Sequence, residues 1–588
     1  MWEHSLLQRS MHHGIVRALL IAAIAATGLA CAPGAVPPAE RAGEPSGERA
    51  APSRTLVIAL GSEPGSVAVR SLIQSGSGRQ LPVKLFNAQL AQLDDRGQPV
   101  AQLAEALPQL NTDSWRVFAD GRMETTYRLK PNLTWHDGAP LTAEDFAFSW
   151  RVFSNPEAGG AGSPPLVAME DVRAADLRTI VIHWKSPYPD ADSLAARDRE
   201  FPALPRHILA DALESGGGIT TFGNHPYWSR EFVGAGAYRI ERWEPGSFID
   251  AAAFDGYALG RPKIARIKLM FISDSNTLVA NLLAGEVQLA ADLGDVGREQ
   301  FQTLKREWEG RGAGRVLREP GQWGATHFQL RPELATPRAL LDPRVRKALA
   351  HTVDKSALND ALYDGGGTTA DSMIPSRSQF GPEADKSVVR YPFDLRRSEQ
   401  LMGEAGFRKG TGGMYVSQSA ERFATEIKTN AGPDSEAELL IMANGWREAG
   451  FDVQESVLPS ALTRNAEVRA TFPSMFTYTT TAGEPALIEY VSARIPSADN
   501  RWLGGNRAAW ADPAYERLVG ALNQTLDRSE RARQVAQMVA IFTEALPVNS
   551  LFFRPSTAAY VSSLVGPGPV ATETNMAWNA YSWEFRSL

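Results

Sequence analysis

One cysteine, Cys31, occurs in 588 residues. No disulfide can close within the chain, and no cluster of thiolates can hold a metal. Runs of Lys and Arg are missing and the net charge is −7, so the electrostatic footprint of a nucleic-acid partner is absent. After residue 54 no apolar stretch approaches the roughly 20 residues of a membrane-spanning helix. The patterns G-x-S-x-G, H-E-x-x-H and the Walker P-loop do not occur. The glycines of "GRGAG" at 310–314 lack dinucleotide-binding spacing and read as a loop. Of the nine histidines, His4, His12 and His13 fall in the leader. His136, His183, His207, His225, His327 and His351 contain no i, i+4 pair suited to a metal. The expectation is no metal, no cofactor, no catalytic residue and no nucleic-acid partner.

What is present is ordinary globular material, 43% hydrophobic and 22% charged, long enough for two to four domains. The N-terminus differs. Arg17 precedes the apolar run Ala18–Leu29, about 12 residues long, which suits the core of an export signal and is too short to span a bilayer. Cys31 follows where a bacterial lipoprotein is cleaved and lipidated. The match to a lipobox is displaced, with Leu29 two before the cysteine and Gly28 three before. Residues 1–31 are thus expected to be a signal peptide, with Met11 as an alternative start. Residues 32–54, rich in Pro, Ala, Gly and Glu, are expected to be a disordered tether.

The folded body should begin with the buried strand "TLVIAL" at 55–60. Helices are predicted to start at Thr142, Asp342, Asp394 and Asp527, and to stop at Gly285, Gly406, Gly450 and before Pro547. Helix–Gly–strand units recur, as in mixed α/β folds.

One stretch looks like chemistry: "LTWHDGAPLTAEDFAFSW" places Trp135, His136 and Asp137 side by side. Neighbours in sequence rarely face each other, and Asp137-Gly138 is a common turn pair. The reading is scaffold: Trp135, Phe146 and Trp150 buried, His136 bonded to backbone.

Several stretches in order resemble a known family. They are "LFNAQLAQLDDRGQPVAQLAEALPQ", "TYRLKPNLTWHDGAPLTAEDFAFSW", "EFVGAGAYRIERWEPG", "LLAGEVQLA", "LDPRVRKALAHTVDKSAL" and the late helices with the closing strand. Together they are similar to the bacterial extracellular solute-binding proteins of family 5, the oligopeptide- and dipeptide-binding components of ABC importers. The resemblance runs from Thr55 nearly to the end. Departures are Ala235 and Ala237, where Thr and Pro are usual, and Gln288 in place of an aspartate.

The resemblance implies an α/β fold of the periplasmic-binding-protein type II kind, two lobes around a cleft with an inserted domain. Domain I would comprise 55–85, 230–324 and 547–588, domain II 86–229, and domain III 325–546. The chain would cross between lobes near Trp323–Leu330 and Pro547–Phe553. It further implies an exported, periplasmic or membrane-anchored binding protein that is not an enzyme. Its ligand would be a polar solute, an oligopeptide first, with oligosaccharide, opine or metal chelate as alternatives. Its partners would be an ABC permease and ATPase, with Cys31 the lipid anchor. Candidate ligand contacts are Tyr478, Thr479, Trp502, Asn506, Asp434 and Glu63. Asp434 could instead cap the helix after it. A secreted hydrolase, or a sensor or adhesin without a transporter, stands as the alternative.

Overall fold

The computed structural model describes residues 55–73, 80–158, 163–194, 200–214, 218–291 and 298–586. The expected signal peptide, Cys31 and the tether lie outside these residues.

Ten strands give the main sheet its path: β1 (Thr55–Leu60), β2 (Tyr238–Glu244), β3 (Phe248–Ala253), β4 (Arg266–Phe271), β5 (Leu289–Ala290), β6 (Gly314–Phe328), β7 (Ala424–Asn430), β8 (Asp452–Leu458), β9 (Met475–Thr480) and β10 (Val548–Val561). Their order is β8-β7-β9-β6-β10-β5-β1-β4-β3-β2. The apolar run of β1 sits at the centre because helices and loops cover both of its faces, leaving Leu56, Ile58, Ala59 and Leu60 buried.

The two long strands, β6 and β10, join the halves. Residues 314–320 pair with 555–561, and residues 323–327 pair with 548–553. The register shifts between Pro320 and Trp323 and again between Gly324 and Ala325. Bulges of this kind bend a strand pair. The change of neighbour therefore falls at 320–323 and 553–555. Residues 547–553, expected with domain I, pair instead with the second lobe's part of β6 and with Thr368–Thr369.

Strand direction locates the space between lobes. β1 is parallel to β4 and β5, and β5 is antiparallel to β10, which is antiparallel to β6. The first-lobe strands β1, β4 and β5, and β6 as it leaves that lobe, therefore point toward the second lobe. There, β9 is antiparallel to β6, and β7 and β8 run with β9. Those three point back. The carboxyl ends of both sets converge at the crossing, the position where open α/β sheets bind ligands.

The segment 86–229 builds a separate four-stranded sheet from Trp115–Val117, Met123–Arg128, Thr179–Trp184 and Met169–Ala174. Yet it shares one core with the first lobe: Leu56, Ile58 and Leu269 belong to the same buried cluster as Trp135, Phe146 and Trp184. Helix α1 (Ala143–Phe153) begins as predicted, with the Thr142 N–H donating to Asp145 at 2.8 Å. Asp342, Asp394 and Asp527 accept from first-turn amides of their helices. Gly285, Gly406 and Gly450 take the left-handed backbone that stops a helix.

The Trp-His-Asp stretch is scaffold. His136 is buried, with its Nε2 3.1 Å from the Gly236 carbonyl and its Nδ1 accepting from the Gly234 N–H at 3.3 Å. Burial pushes its pKa down to about 4, so the ring is neutral. Trp135 and Phe146 are buried, whereas Trp150 lies only partly buried at the helix surface. In the "GAGAY" turn, a Cβ on Gly234 or Gly236 would land on the Phe86–Asn87 backbone. Those two glycines do the structural work, so Ala235 and Ala237 leave the turn intact. Gln288 stitches β1 into the sheet, its Oε1 accepting from the Val57 N–H at 2.9 Å.

Candidate ligand cleft

The loops at the converging strand ends hold three of the six candidate contacts. Glu63 follows β1, but its carboxylate is engaged: it accepts from Trp243 Nε1 at 2.7 Å and from the Gly246 N–H at 2.8 Å. Asp434 follows β7 in the first turn of α2 (Pro433–Ala449). It is not the cap, a position Gly432 holds; its carboxylate pairs with Arg554 at 2.9 Å. Arg554 stands where β10 crosses between lobes. Thr479, near the end of β9, donates to Gln322 Oε1 at 3.2 Å.

The other three lie elsewhere. Asn506 is fully buried, and its amide bonds Val491, Trp510 and the Trp510 N–H, so it holds its own loop together. Trp502 is half-buried in that loop with φ 61°, among the positive-φ residues Arg501 and Ala509. Tyr478 is buried one step inside the second lobe.

Around Tyr478 the structure assembles a group that the sequence reading passed over. The ring stacks on His327, with centroids 4.3 Å apart and planes at 10°. Trp323 lies 6.1 Å from the same imidazole. The guanidinium carbons of Arg507 and Arg469 stand 5.0 and 5.8 Å from the Tyr478 ring centroid. Burial, reinforced by both arginines, holds His327 well below the usual imidazole range, so it is neutral. Two signals were available: an inward His in the largely uncharged strand "WGATHF", and the arginines of "EVRATF" and "GGNRAAW" in stretches flanking β9 and its following loop.

On the opposite face of β9, Thr477 donates to Glu438 Oε1 at 2.7 Å. Burial pushes the Glu438 carboxyl up to about 7. The lobes also touch through side chains. Arg528, at the start of α3 (Arg528–Ala545), meets Asp192 at 3.1 Å and Gln98 at 3.3 Å. Arg531 pairs with Glu484 at 2.7 Å in its own lobe and reaches Asp190 of the first lobe at 4.0 Å.

A fold of two lobes joined by two strands, with strand ends converging between them, is the architecture of extracytoplasmic solute-binding proteins. The description "Bacterial extracellular solute-binding proteins, family 5 Middle" matches residues 105–492, and the chain belongs to that family. It is 24% identical over 324 residues to a Brucella ovis protein named for peptide binding in ABC transport, spanning 54% of this chain and 55% of that one. The chain thus spans about half the length of that relative and its Brucella counterparts. It is 24% identical over 494 residues to the dipeptide-binding protein of Escherichia coli, covering 79% of this chain and 84% of the relative. Among solved structures, HbpA2 from Haemophilus parasuis superimposes with a TM-score of 0.70 at 19% identity, over 91% of this chain and 100% of that one. At that identity the likeness speaks for the two-lobed α/β fold.

Proposed function

We propose that this protein captures a polar solute, an oligopeptide in the first instance, between its lobes and delivers it to the permease and ATPase of an ABC importer. The observation that carries this reading is the convergence of parallel strand ends from both lobes on a crossing made of two strands. Such a junction bends, and closure over a solute removes it from water, so a few fixed polar groups can orient it. Peptide-binding relatives support the ligand class. In this reading the first lobe comprises 55–85, 86–229 and 230 to the crossing, together with the C-terminal return. The protein binds and releases without turnover. Asp434, Thr479 and Tyr478 face or flank the solute, and lipidated Cys31 tethers the exported body to the membrane.

A thermal-shift screen of short peptides, oligosaccharides and metal chelates tests the reading, because a ligand that binds the native state raises its melting temperature. Peptides are expected to give the largest shifts. A library without effect, or shifts confined to sugars, would contradict the ligand class. Replacement of Cys31 by Ser is expected to move the protein from the membrane fraction to the soluble exported fraction; unchanged fractionation would remove the lipid anchor.

A further inference from the structure

Apart from the two crossing strands, the lobes meet along a seam of charged side chains. The first lobe supplies Asp190, Asp192, the hairpin turn 94–97 and the C-terminal return at 571–574. The second supplies Gln379, Glu484, and Arg528 and Arg531 of α3. The return is pinned to the hairpin. The Ala571 N–H donates to the Asp95 carbonyl at 2.7 Å, and the Thr574 hydroxyl donates to the Asp94 carbonyl at 2.7 Å. Between these pins Glu573 turns toward the second lobe. Its carboxyl accepts from the Gln379 N–H and faces Glu484. Its Oε2 lies over Gly97, 3.4 Å from where a Cβ would stand. That oxygen is buried without a hydrogen-bond partner among the described residues, an arrangement that calls for an explanation.

Carboxylates outnumber cations in this seam. Arg528 is taken by Asp192, and Arg531 by Glu484, with Asp190 at 4.0 Å. The charge that Glu573 faces is Glu484, which is of like sign. The hairpin turn brings it no cation: the Asp94 carboxylate accepts from the Arg96 and Gln98 N–H groups, and Asp95 and Arg96 are exposed. A carboxyl shut from water beside a like charge favours its protonated form. Burial, reinforced by Glu484, pushes the Glu573 carboxyl up from 4.5 to about 7. Parting the lobes would return it to water and take Glu484 away, so the closed form holds the proton more tightly than the open one. The contribution of Glu573 to closure is therefore full below 4.5 and lost as pH rises through 7.

We propose that Glu573 is a proton-gated latch between the lobes: protonated, it lets the seam close with Arg528 and Arg531 as fasteners, and ionised, it repels Glu484 and releases the second lobe. The inference rests on the solute-capture reading and adds its regulation. Capture is tighter in mildly acidic surroundings, and release is favoured toward alkaline ones. The device is set apart from the solute: it acts on the open–closed balance, and solute affinity follows from the fraction of closed form.

Small-angle X-ray scattering of the full chain without solute, between pH 5 and pH 9, reads the separation of the lobes. Wild type is expected to expand as pH rises, with a midpoint near 7. Glu573→Gln cannot ionise and is expected to stay compact throughout. Arg528→Gln removes a fastener and is expected to be expanded already at pH 5. Glu438 also titrates near 7, but inside the second lobe, so Glu438→Gln is expected to keep the wild-type transition. A wild type of constant dimensions, or a transition that survives in Glu573→Gln, would overturn the latch. So would a transition abolished by Glu438→Gln alone. If Glu573→Gln fails to fold, the wild-type and Arg528→Gln curves decide. Calorimetry with trialanine then links the latch to capture: affinity is expected to fall about tenfold from pH 5.5 to pH 8 in wild type and less than about twofold in Glu573→Gln. Equal affinity at both pH values would leave capture standing and overturn the latch. The expected scattering with no trialanine bound would uphold the latch and count against capture of short peptides.

Discussion

Two buried histidines, one in each lobe, show how differently the halves of this molecule use the same side chain. His136 sits in the first lobe with both ring nitrogens bonded to backbone, between Gly234 and Gly236. His327 sits in the second lobe with one nitrogen on Tyr478 and the other without a hydrogen-bond partner among the described residues, near two arginines. Both are neutral because burial disfavours the imidazolium. The first is saturated and rigid. The second belongs to a set of groups with capacity left over.

The comparison breaks most readily at the first lobe. Gly236→Ala would drive a Cβ into the Phe86–Asn87 backbone, which cannot yield as a flexible side chain could. A loss of about 3 kcal/mol or more is expected in chemical denaturation. A loss below about 1 kcal/mol would mean the turn is not the close contact described.

His136→Ala is expected to cost about 2–4 kcal/mol, from the cavity and the unpaired Gly234 and Gly236 groups, with ligand affinity unchanged. His327→Phe keeps the ring stack, so its stability should stay within about 1 kcal/mol of wild type while ligand affinity falls about tenfold. The reverse pattern would exchange the two roles. The pH dependence sharpens the contrast. His136 has a folded pKa near 4, below the ordinary 6.5. Its contribution is therefore complete above 6.5 and lost as pH falls through 4, on the order of 3 kcal/mol. Wild type should lose stability across that interval more steeply than His136→Phe.

Within the second lobe, Glu438 carries the opposite sign. Its carboxyl is raised from 4.5 to about 7, so the stabilisation it brings is full below 4.5 and lost as pH rises through 7. Glu438→Gln, which keeps an acceptor for Thr477, should stabilise the protein by about 3 kcal/mol at pH 8 and change little at pH 4. A destabilised variant at pH 8 would show the carboxylate to be paired there. The smallest effect belongs to Asp434→Asn. This ion pair with Arg554 is largely exposed, and less than about 1 kcal/mol is expected.

The sequence made much of the fold legible because its signals were local. Thr142, Asp342, Asp394 and Asp527 start helices through their own first turns, and Gly285, Gly406 and Gly450 end them. Glu63, Asp434 and Thr479 are placed near the cleft by the resemblance to family 5, not by any local signal. What stayed hidden depends on contacts across long separations. The bulge at Pro320–Trp323 shows only in pairing with residues more than 200 positions away. The core shared between the 86–229 segment and β1 requires residues far apart in sequence to meet. Asn506 reads as a polar loop residue, but the fold turns it inward and spends its amide on Val491 and Trp510. The His327 cluster was passed over because its members come from separate stretches, Trp323–His327, Arg469–Tyr478 and Arg507, and the signals in each do not show that they meet.

Mass spectrometry of material released by denaturing the protein, purified from cells that make it, tests the central claim most directly. The expected result is a small polar solute, an oligopeptide in the first instance, in about equal amount to protein. A protein that carries no solute in any preparation, or only solutes that are not peptides, would contradict the peptide-capture reading.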